Sequence, residues 1–194
     1  KEIKNKIKNS FFTTSANIEN LSFIYELSKK YNIKKKLFIR YANSFSGLEH
    51  RYESFYSKKN LKFINDSKAT NFESTKQGLA NNKNIYWIVG GLPKKEDNFD
   101  LKDVKKNIKK TYIIGKNIQF FKSKIKGIIT FSVSKTLDRA VNDIFKDLKK
   151  VIDTHEKSTV LLSPAAASFD QFKNFKEREI KFKNLIKENA KKYI

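Results

Sequence analysis

Phe63-Ile64-Asn65-Asp66-Ser67-Lys68-Ala69-Thr70-Asn71 and Leu161-Leu162-Ser163-Pro164-Ala165-Ala166-Ala167-Ser168-Phe169-Asp170-Gln171-Phe172-Lys173-Asn174-Phe175 decide the fold. Each stretch starts as a short apolar run of the kind that makes a buried strand. Each then passes into small and polar residues. A strand that ends this way sets its polar groups at the carboxyl edge of a sheet, the edge where open α/β sheets bind ligands.

Other runs fit the same scheme. Residues 51–56 and 61–65 read as strands around the polar turn 57–60, and residues 71–80 as a helix capped by Thr70 or Asn71. Residues 85–89 read as a buried strand ending in Gly90-Gly91, 101–108 as a short helix, and 110–114 as a strand ending in Gly115. Residues 117–123 read as a short helix and 127–131 as an edge strand. Residues 136–148 read as a helix, 159–162 as a strand, and Asp170 onward as a long terminal helix. Alternating apolar strands and helices predict a Rossmann-like α/β domain, its mostly parallel sheet covered by helices on both faces. The strands near 62–65, 85–89, 111–114 and 159–162 are expected to be mainly parallel neighbours.

Upstream of residue 50 the pattern changes. Residues 17–31 place Ile18, Leu21, Ile24, Tyr25 and Leu27 at helical spacing, and 34–43 read as a second short helix. No strand is expected there. Residues 1–49 are therefore expected to be the remnant of an upstream domain, and residues 50–194 a domain of their own. With no Met at position 1 or elsewhere, the chain is expected to be a piece of a longer one.

Composition narrows the chemistry. With no Cys, disulfides, thiolate metal sites and a Cys nucleophile are excluded. Two His residues, His50 and His155, cannot build a His-rich metal site. No apolar run reaches the ~20 residues of a membrane helix. The net charge of +22 points to an anionic partner such as nucleic acid. However, nearly all of it is Lys, spread along the chain, with Arg only at positions 40, 51, 139 and 178. Arg is the usual base-reading side chain, so a lysine-biased composition explains the charge as well. A basic, non-catalytic α/β module that binds nucleic acid or another anionic polymer stays as the alternative reading.

Three loops could carry chemistry. In residues 65–71 a strand passes into a helix, whose free N–H groups attract anions. Lys68 adds a charge there, Ser67 and Thr70 hydroxyls, and Asp66 an acceptor for a ribose. Gly90-Gly91 permits close backbone approach, and Lys94 is placed to reach a carboxylate or phosphate. Ser168 is either the cap of the last helix or part of a carboxylate clamp, and Phe172 reads as core packing. The loops containing Asp66–Thr70, Lys94 and Ser168–Phe169 are expected to line one cleft. No Gly-x-x-x-x-Gly-Lys-Ser/Thr loop is present, so the chain reads as half of an active site.

Together the 66–71 string, the Gly90–Lys94 loop and the 161–175 string resemble the C-terminal domain of the Mur ligases, in particular the member that adds D-glutamate. The likeness runs from about Asn17 to the end. Asn17-Ile18-Glu19-Asn20 is similar to a helix start in the family's central domain, and residues 45–53 to the segment joining the central and C-terminal domains. The sequence departs from the family pattern at Ala16 (usually His), Glu49 (often Pro) and Glu179 (Gly after the Arg).

The resemblance implies an ATP-dependent amide ligase of peptidoglycan synthesis, cytoplasmic, with UDP-MurNAc-L-alanine and D-glutamate as substrates and ATP and Mg²⁺ required. It implies that Asn17, Arg51, Asp66 and Lys68 face the nucleotide. It implies that Thr70, Lys94, Ser168, Phe169 and Phe175 surround D-glutamate. The P-loop, the UDP-binding domain and the metal ligands are then expected upstream of residue 1, with no metal site in this chain, no membrane or nucleic-acid partner, and no complete reaction by the chain alone.

Overall fold

Ile18, Leu21 and Tyr25 recur at intervals of three and four residues and form one stripe of α1 (Ser15–Lys30), which is followed by α2 (Lys35–Ser44). Leu21, Phe38 and Ala42 are buried together with Ile3. The other face of α1 stays open, with Phe23, Ile24 and Leu27 exposed. This helical pair, with the 3-10 turns Lys4–Lys6 and Ser10–Thr13 before it, lies in the first of two compact units, Lys1–Leu48 and Glu49–Ile194. The computed structural model describes residues 3–13, 15–48 and 51–194. Glu49 and the boundary expected there lie outside the described residues, as does the side chain of Ala16.

The second unit is an α/β sheet. Its strands are β1 (Glu53–Lys58), β2 (Leu61–Asn65), β3 (Ile85–Gly90), β4 (Ile108–Ile114), β5 (Phe131–Lys135) and β6 (Ser158–Leu162). Between and after them lie α3 (Phe72–Ala80), α4 (Ile118–Ile125), α5 (Leu137–Leu148) and α6 (Phe175–Tyr193). The strand order is β1-β2-β6-β3-β4-β5. β1 pairs antiparallel with β2, and every other pairing is parallel. The expected parallel neighbours are therefore present, with an antiparallel strand at one edge.

Alternation along the strands builds two cores. Tyr86 and Ile88 join Leu61, Phe63, Tyr112, Val160 and Leu162 under α5 and α6. Ile85, Trp87 and Val89 join Ile64, Ile113 and Leu161 under α3 and α4. β3 and β6 are buried along their whole length, as parallel strands covered on both faces must be.

The structure moves several expected boundaries. The hairpin turn is only Lys59-Asn60, because Ser57 and Lys58 still pair with Lys62 and Leu61. The helix expected over 101–108 is a set of turns with one 3-10 turn at Lys105–Asn107. Leu101 and Val104 are buried as anchors, and Ile108 already belongs to β4. The edge strand expected over 127–131 lies at Phe131–Lys135, where it pairs with Thr111–Ile114. The last helix begins at Phe175 instead of Asp170, capped by Asn174, whose side chain accepts from the Glu177 N–H. Phe172 packs against the core in the turn before it.

Gly90 and Gly127 both have positive φ, +137° and +80°, but different surroundings. A Cβ on Gly90 would sit 2.0 Å from the Ile114 carbonyl oxygen, whereas one on Gly127 would meet nothing within 4 Å. Gly90→Ala should therefore cost more than about 4 kcal/mol, a backbone clash added to a strained φ. Gly127→Ala should cost only ~1–2 kcal/mol. Urea unfolding of the two variants checks the contrast; equal losses would contradict the packing of β3 against β4.

Candidate functional site

Five parallel strands bring five loops out at one carboxyl edge. The loop after β2 is tied down from its first residue. The Asp66 N–H donates to Leu162 O at 2.8 Å, one rung beyond the ladder. Asp66 itself is only 8% exposed. Its Oδ1 accepts from the Tyr52 N–H at 3.0 Å and its Oδ2 from the Ser163 hydroxyl at 2.8 Å. Burial pushes its carboxyl up to about 6, against the pull of the Ser163 and Tyr52 hydrogen bonds and the nearby Arg51 charge. Ser163 is anchored in turn, its carbonyl accepting from Trp87 Nε1 at 2.7 Å. At the far end of the loop Asn71 caps α3, its side chain accepting from the Ser74 N–H.

The loops after β3 and β6 meet each other. The Gly90 N–H donates to Pro164 O at 2.9 Å, and Leu92 and Ala167 exchange backbone hydrogen bonds of 2.8 and 3.0 Å. A Cβ on Gly91 would lie 2.3 Å from Ala167 O. The close approach read from Gly90-Gly91 is thus spent on the chain's own backbone. The loop after β6 also reaches β4 and β5. Asp170 Oδ2 accepts from the Lys116 N–H at 2.8 Å, and Gln171 Nε2 donates to Lys135 O at 3.0 Å.

These contacts place the candidates. Lys68 is exposed, with its Nζ 4.1 Å from the centre of the Phe175 ring. Thr70 is half-buried a turn later. Ser168 is 3% exposed, and its hydroxyl has no hydrogen-bond partner among the described residues. It does not cap α6; its carbonyl closes a turn with the Gln171 and Phe172 N–H groups. Phe169 beside it is 70% exposed. Ser168 follows the Leu92–Ala167 bridge by one residue, and Lys94 follows it by two. Lys94 is exposed. The edge is open: Lys68, Lys94 and Phe169 face solvent, while a groove along α6 lined by Lys173, Lys176, Ile180, Asn184 and Glu188 includes none of the candidates. Arg51 is exposed and acts on Asp66. Asn17 belongs to the first unit, where its Nδ2 donates to Phe11 O at 2.7 Å.

Sequence reasoning missed Arg178. Only 1% exposed, it donates from Nε to Ser67 Oγ (2.9 Å), from Nη2 to Ser67 O (2.7 Å) and from Nη1 to Ala166 O (3.1 Å). Burial lowers its pKa to about 10, and Asp170 opposes the shift. The signal was weak: Arg178 is one of four Arg in a chain that otherwise uses Lys, and the other three are exposed, so scarcity alone does not mark a place where a planar fork is needed. Glu179, next to it, is buried and paired with Lys183 at 2.5 Å; Lys183 also holds Glu53 of β1.

No family model matches the chain. Two relatives are both UDP-N-acetylmuramoylalanine–D-glutamate ligases. That of Rickettsia prowazekii (strain Madrid E) is 39% identical over 88% of this chain and 38% of its own length. That of Wolbachia sp. subsp. Brugia malayi (strain TRS) is 37% identical over 91% of this chain and 36% of its own. The chain thus spans little more than a third of the relatives it matches. Among solved structures, UDP-N-acetylmuramate-alanine ligase MurC from Thermotoga maritima superposes with a TM-score of 0.59 at 13% identity, covering 90% of this chain and 38% of that one. MurF from Acinetobacter baumannii gives 0.60 at 13%, covering 87% and 38%. At that identity the structures show a shared fold.

The carboxyl of Asp66 is raised in the folded chain above its ordinary range. The folded state therefore holds its proton more tightly than the unfolded state. The stability this supplies is full below about pH 4 and is lost as pH rises through about 6. The difference is on the order of 3 kcal/mol. Asp66→Asn should flatten that part of the stability–pH curve, as measured by urea midpoints between pH 4 and 7.5. An unchanged curve would refute the buried, desolvated placement of Asp66.

Proposed function

We propose, from the resemblance of this chain to the C-terminal part of the UDP-N-acetylmuramoylalanine–D-glutamate ligases of the Mur ligase family, that it is the amino-acid-binding part of such a ligase. The whole enzyme joins D-glutamate to UDP-MurNAc-L-alanine during peptidoglycan synthesis in the cytoplasm. ATP transfers its terminal phosphate to the alanine carboxylate. The D-glutamate amine then attacks the acyl phosphate and loses a proton, and the tetrahedral intermediate expels phosphate. The P-loop and the UDP-binding domain belong to the rest of the protein, and this chain by itself does not complete the cycle.

The observation that carries the reading is the convergence at the carboxyl edge. The loop bearing Lys68 and Thr70, the loop bearing Lys94 and the loop bearing Ser168 and Phe169 emerge from neighbouring parallel strands. The last is hydrogen-bonded to the second through Leu92 and Ala167 and to the first through Ser163 and Asp66, with Arg178 bridging the first and the last. Lys94 and Ser168 hold the D-glutamate carboxylates through charge-assisted and hydroxyl hydrogen bonds. Thr70, Phe169 and Phe175 complete its surroundings. Lys68, steadied over the Phe175 ring, faces the nucleotide phosphates, and Arg51 and Asp66 belong to the nucleotide side; Asn17, in the first unit, is assigned to the nucleotide by the resemblance alone. Mg²⁺, when bound, neutralises phosphate charge. Among the described residues no group of three His, Cys, Asp or Glu side chains is gathered to hold a metal ion, so no step on this chain is assigned to it.

The second reading, a module for an anionic polymer, has less support. Paired lysines are spread over both sides of the sheet, on α3 (Lys76), β4 (Lys109, Lys110), α5 (Lys146) and α6 (Lys181, Lys183).

Steady-state kinetics of the full-length protein, with each substrate varied in turn, test the assignment. Losing a hydrogen bond to a charged group costs ~1.5–3 kcal/mol, roughly ten- to a hundredfold. Lys94→Ala should raise the KM for D-glutamate by that factor and leave the KM for ATP near its starting value, and Lys68→Ala should do the reverse. A Lys94→Ala enzyme with unchanged D-glutamate dependence would remove Lys94 from the site. Absence of D-glutamate ligation by the wild-type protein would remove the ligase reading.

A further inference from the structure

We propose that Arg178 is a positioning residue that locks the loop after β2 to the loop after β6, so that the nucleotide-facing and D-glutamate-facing groups share one register. The inference rests on the ligase reading for its kinetic meaning, but its geometry stands independently.

The guanidinium spans both loops at once. Two of its donors go to Ser67 and the third to Ala166. Ser67 sits between Asp66 and Lys68, and Ala166 is two residues before Ser168. The Ser67 hydroxyl, which accepts from Arg178 Nε, donates to Phe175 O at 3.0 Å, and the Phe175 ring carries Lys68. A continuous chain of contacts therefore runs from Ala166 through Arg178, Ser67 and Phe175 to Lys68. A shift of either loop breaks a hydrogen bond of the same side chain.

Stability alone does not account for this choice. Arg178 forms no ion pair among the described residues; its acceptors are a hydroxyl and two carbonyls. Asp170 acts on the guanidinium only from beyond ion-pair distance. A charge buried without a carboxylate in contact is a costly fastener, and apolar residues of similar volume commonly replace buried charges at no loss of stability. What apolar residues cannot supply is three directed hydrogen bonds that fix two loops relative to each other. A Lys cannot supply them either, because its single ammonium has no fixed fork.

Two experiments separate positioning from packing. In the full-length enzyme, Arg178→Met and Arg178→Lys should raise the KM for D-glutamate and the KM for ATP together, each roughly tenfold, the loss expected for one hydrogen bond to a charged group. Arg178→Lys should not restore either value. Unchanged KM values with only a lower melting temperature would overturn the proposal. Amide hydrogen exchange on this chain gives a readout that needs no activity. In Arg178→Lys, residues 67–71 and 165–168 should lose protection in parallel while α3 and α5 keep theirs. Loosening of one loop alone, or of the whole sheet, would overturn it. A wild-type protein that fails to ligate D-glutamate would end the ligase reading and leave the exchange result to decide whether Arg178 couples the loops.

Discussion

β6 is the last strand in the chain, yet it lies between β2 and β3 and pairs with both. The arrangement at the carboxyl edge depends on that insertion. Until β6 is in place, β2 has only the β1 hairpin beside it, and the two cores lack Val160, Leu161 and Leu162. Once it is in place, the loop after it starts from the middle of the sheet and reaches outward on both sides. It meets Asp66 directly and Ser67 through Arg178 on one side, and Gly90–Leu92, Lys116 and Lys135 on the other. A long-range pairing thus organises loops that are remote in sequence, and such pairings are entropically demanding.

That central position also explains how buried polar groups are tolerated. Ser163, Asp66, Thr75 and the Trp87 N–H lie together, and each has a partner. Asp66 is expensive to bury as an anion, and its raised carboxyl pKa reflects the cost. Even so, both its oxygens are occupied in holding Tyr52 and Ser163. Its first role is therefore to join the start of β1 to the end of β6, and any contact with a ribose would be made by lone pairs left over from that work.

Much of this was legible in the residues. Ile85-Tyr86-Trp87-Ile88-Val89 admits little besides a strand covered on both sides, and Asn71 and Thr136 announce α3 and α5 as caps. The misreadings have local causes. Ile128-Ile129 looked like strand because it is apolar, but Gly127 at positive φ turns the chain there. The real strand, Phe131-Ser132-Val133-Ser134-Lys135, is a half-exposed edge with a weak apolar signal. Leu101 and Val104 have helical spacing, yet they serve as anchors under the sheet. The terminal helix starts late because Asp170 and Gln171 are committed to neighbouring segments and Phe172 to the core before Asn174 caps it. Burial of Arg178 depends on a partner more than a hundred residues away in the chain, and no local pattern encodes that.

Subtracting what the chain uses on itself shows what the edge still offers a ligand. The backbone of Gly90–Leu92 and Pro164–Ala167 is paired internally, and Asp170, Gln171, Asn117 and Arg178 all bind neighbouring loops. Among the groups left over are the ammonium ions of Lys68 and Lys94, the hydroxyls of Thr70 and Ser168, and the exposed ring of Phe169. Two separated cations with hydroxyl donors and an apolar face suit a small molecule with several negative oxygens and a short carbon chain. Lys68 and Lys94 share this edge with the exposed Lys95, Lys116 and Lys135; the loop of Lys68 also carries Thr70, and the loop of Lys94 is bridged through Leu92 and Ala167 to the residue before Ser168.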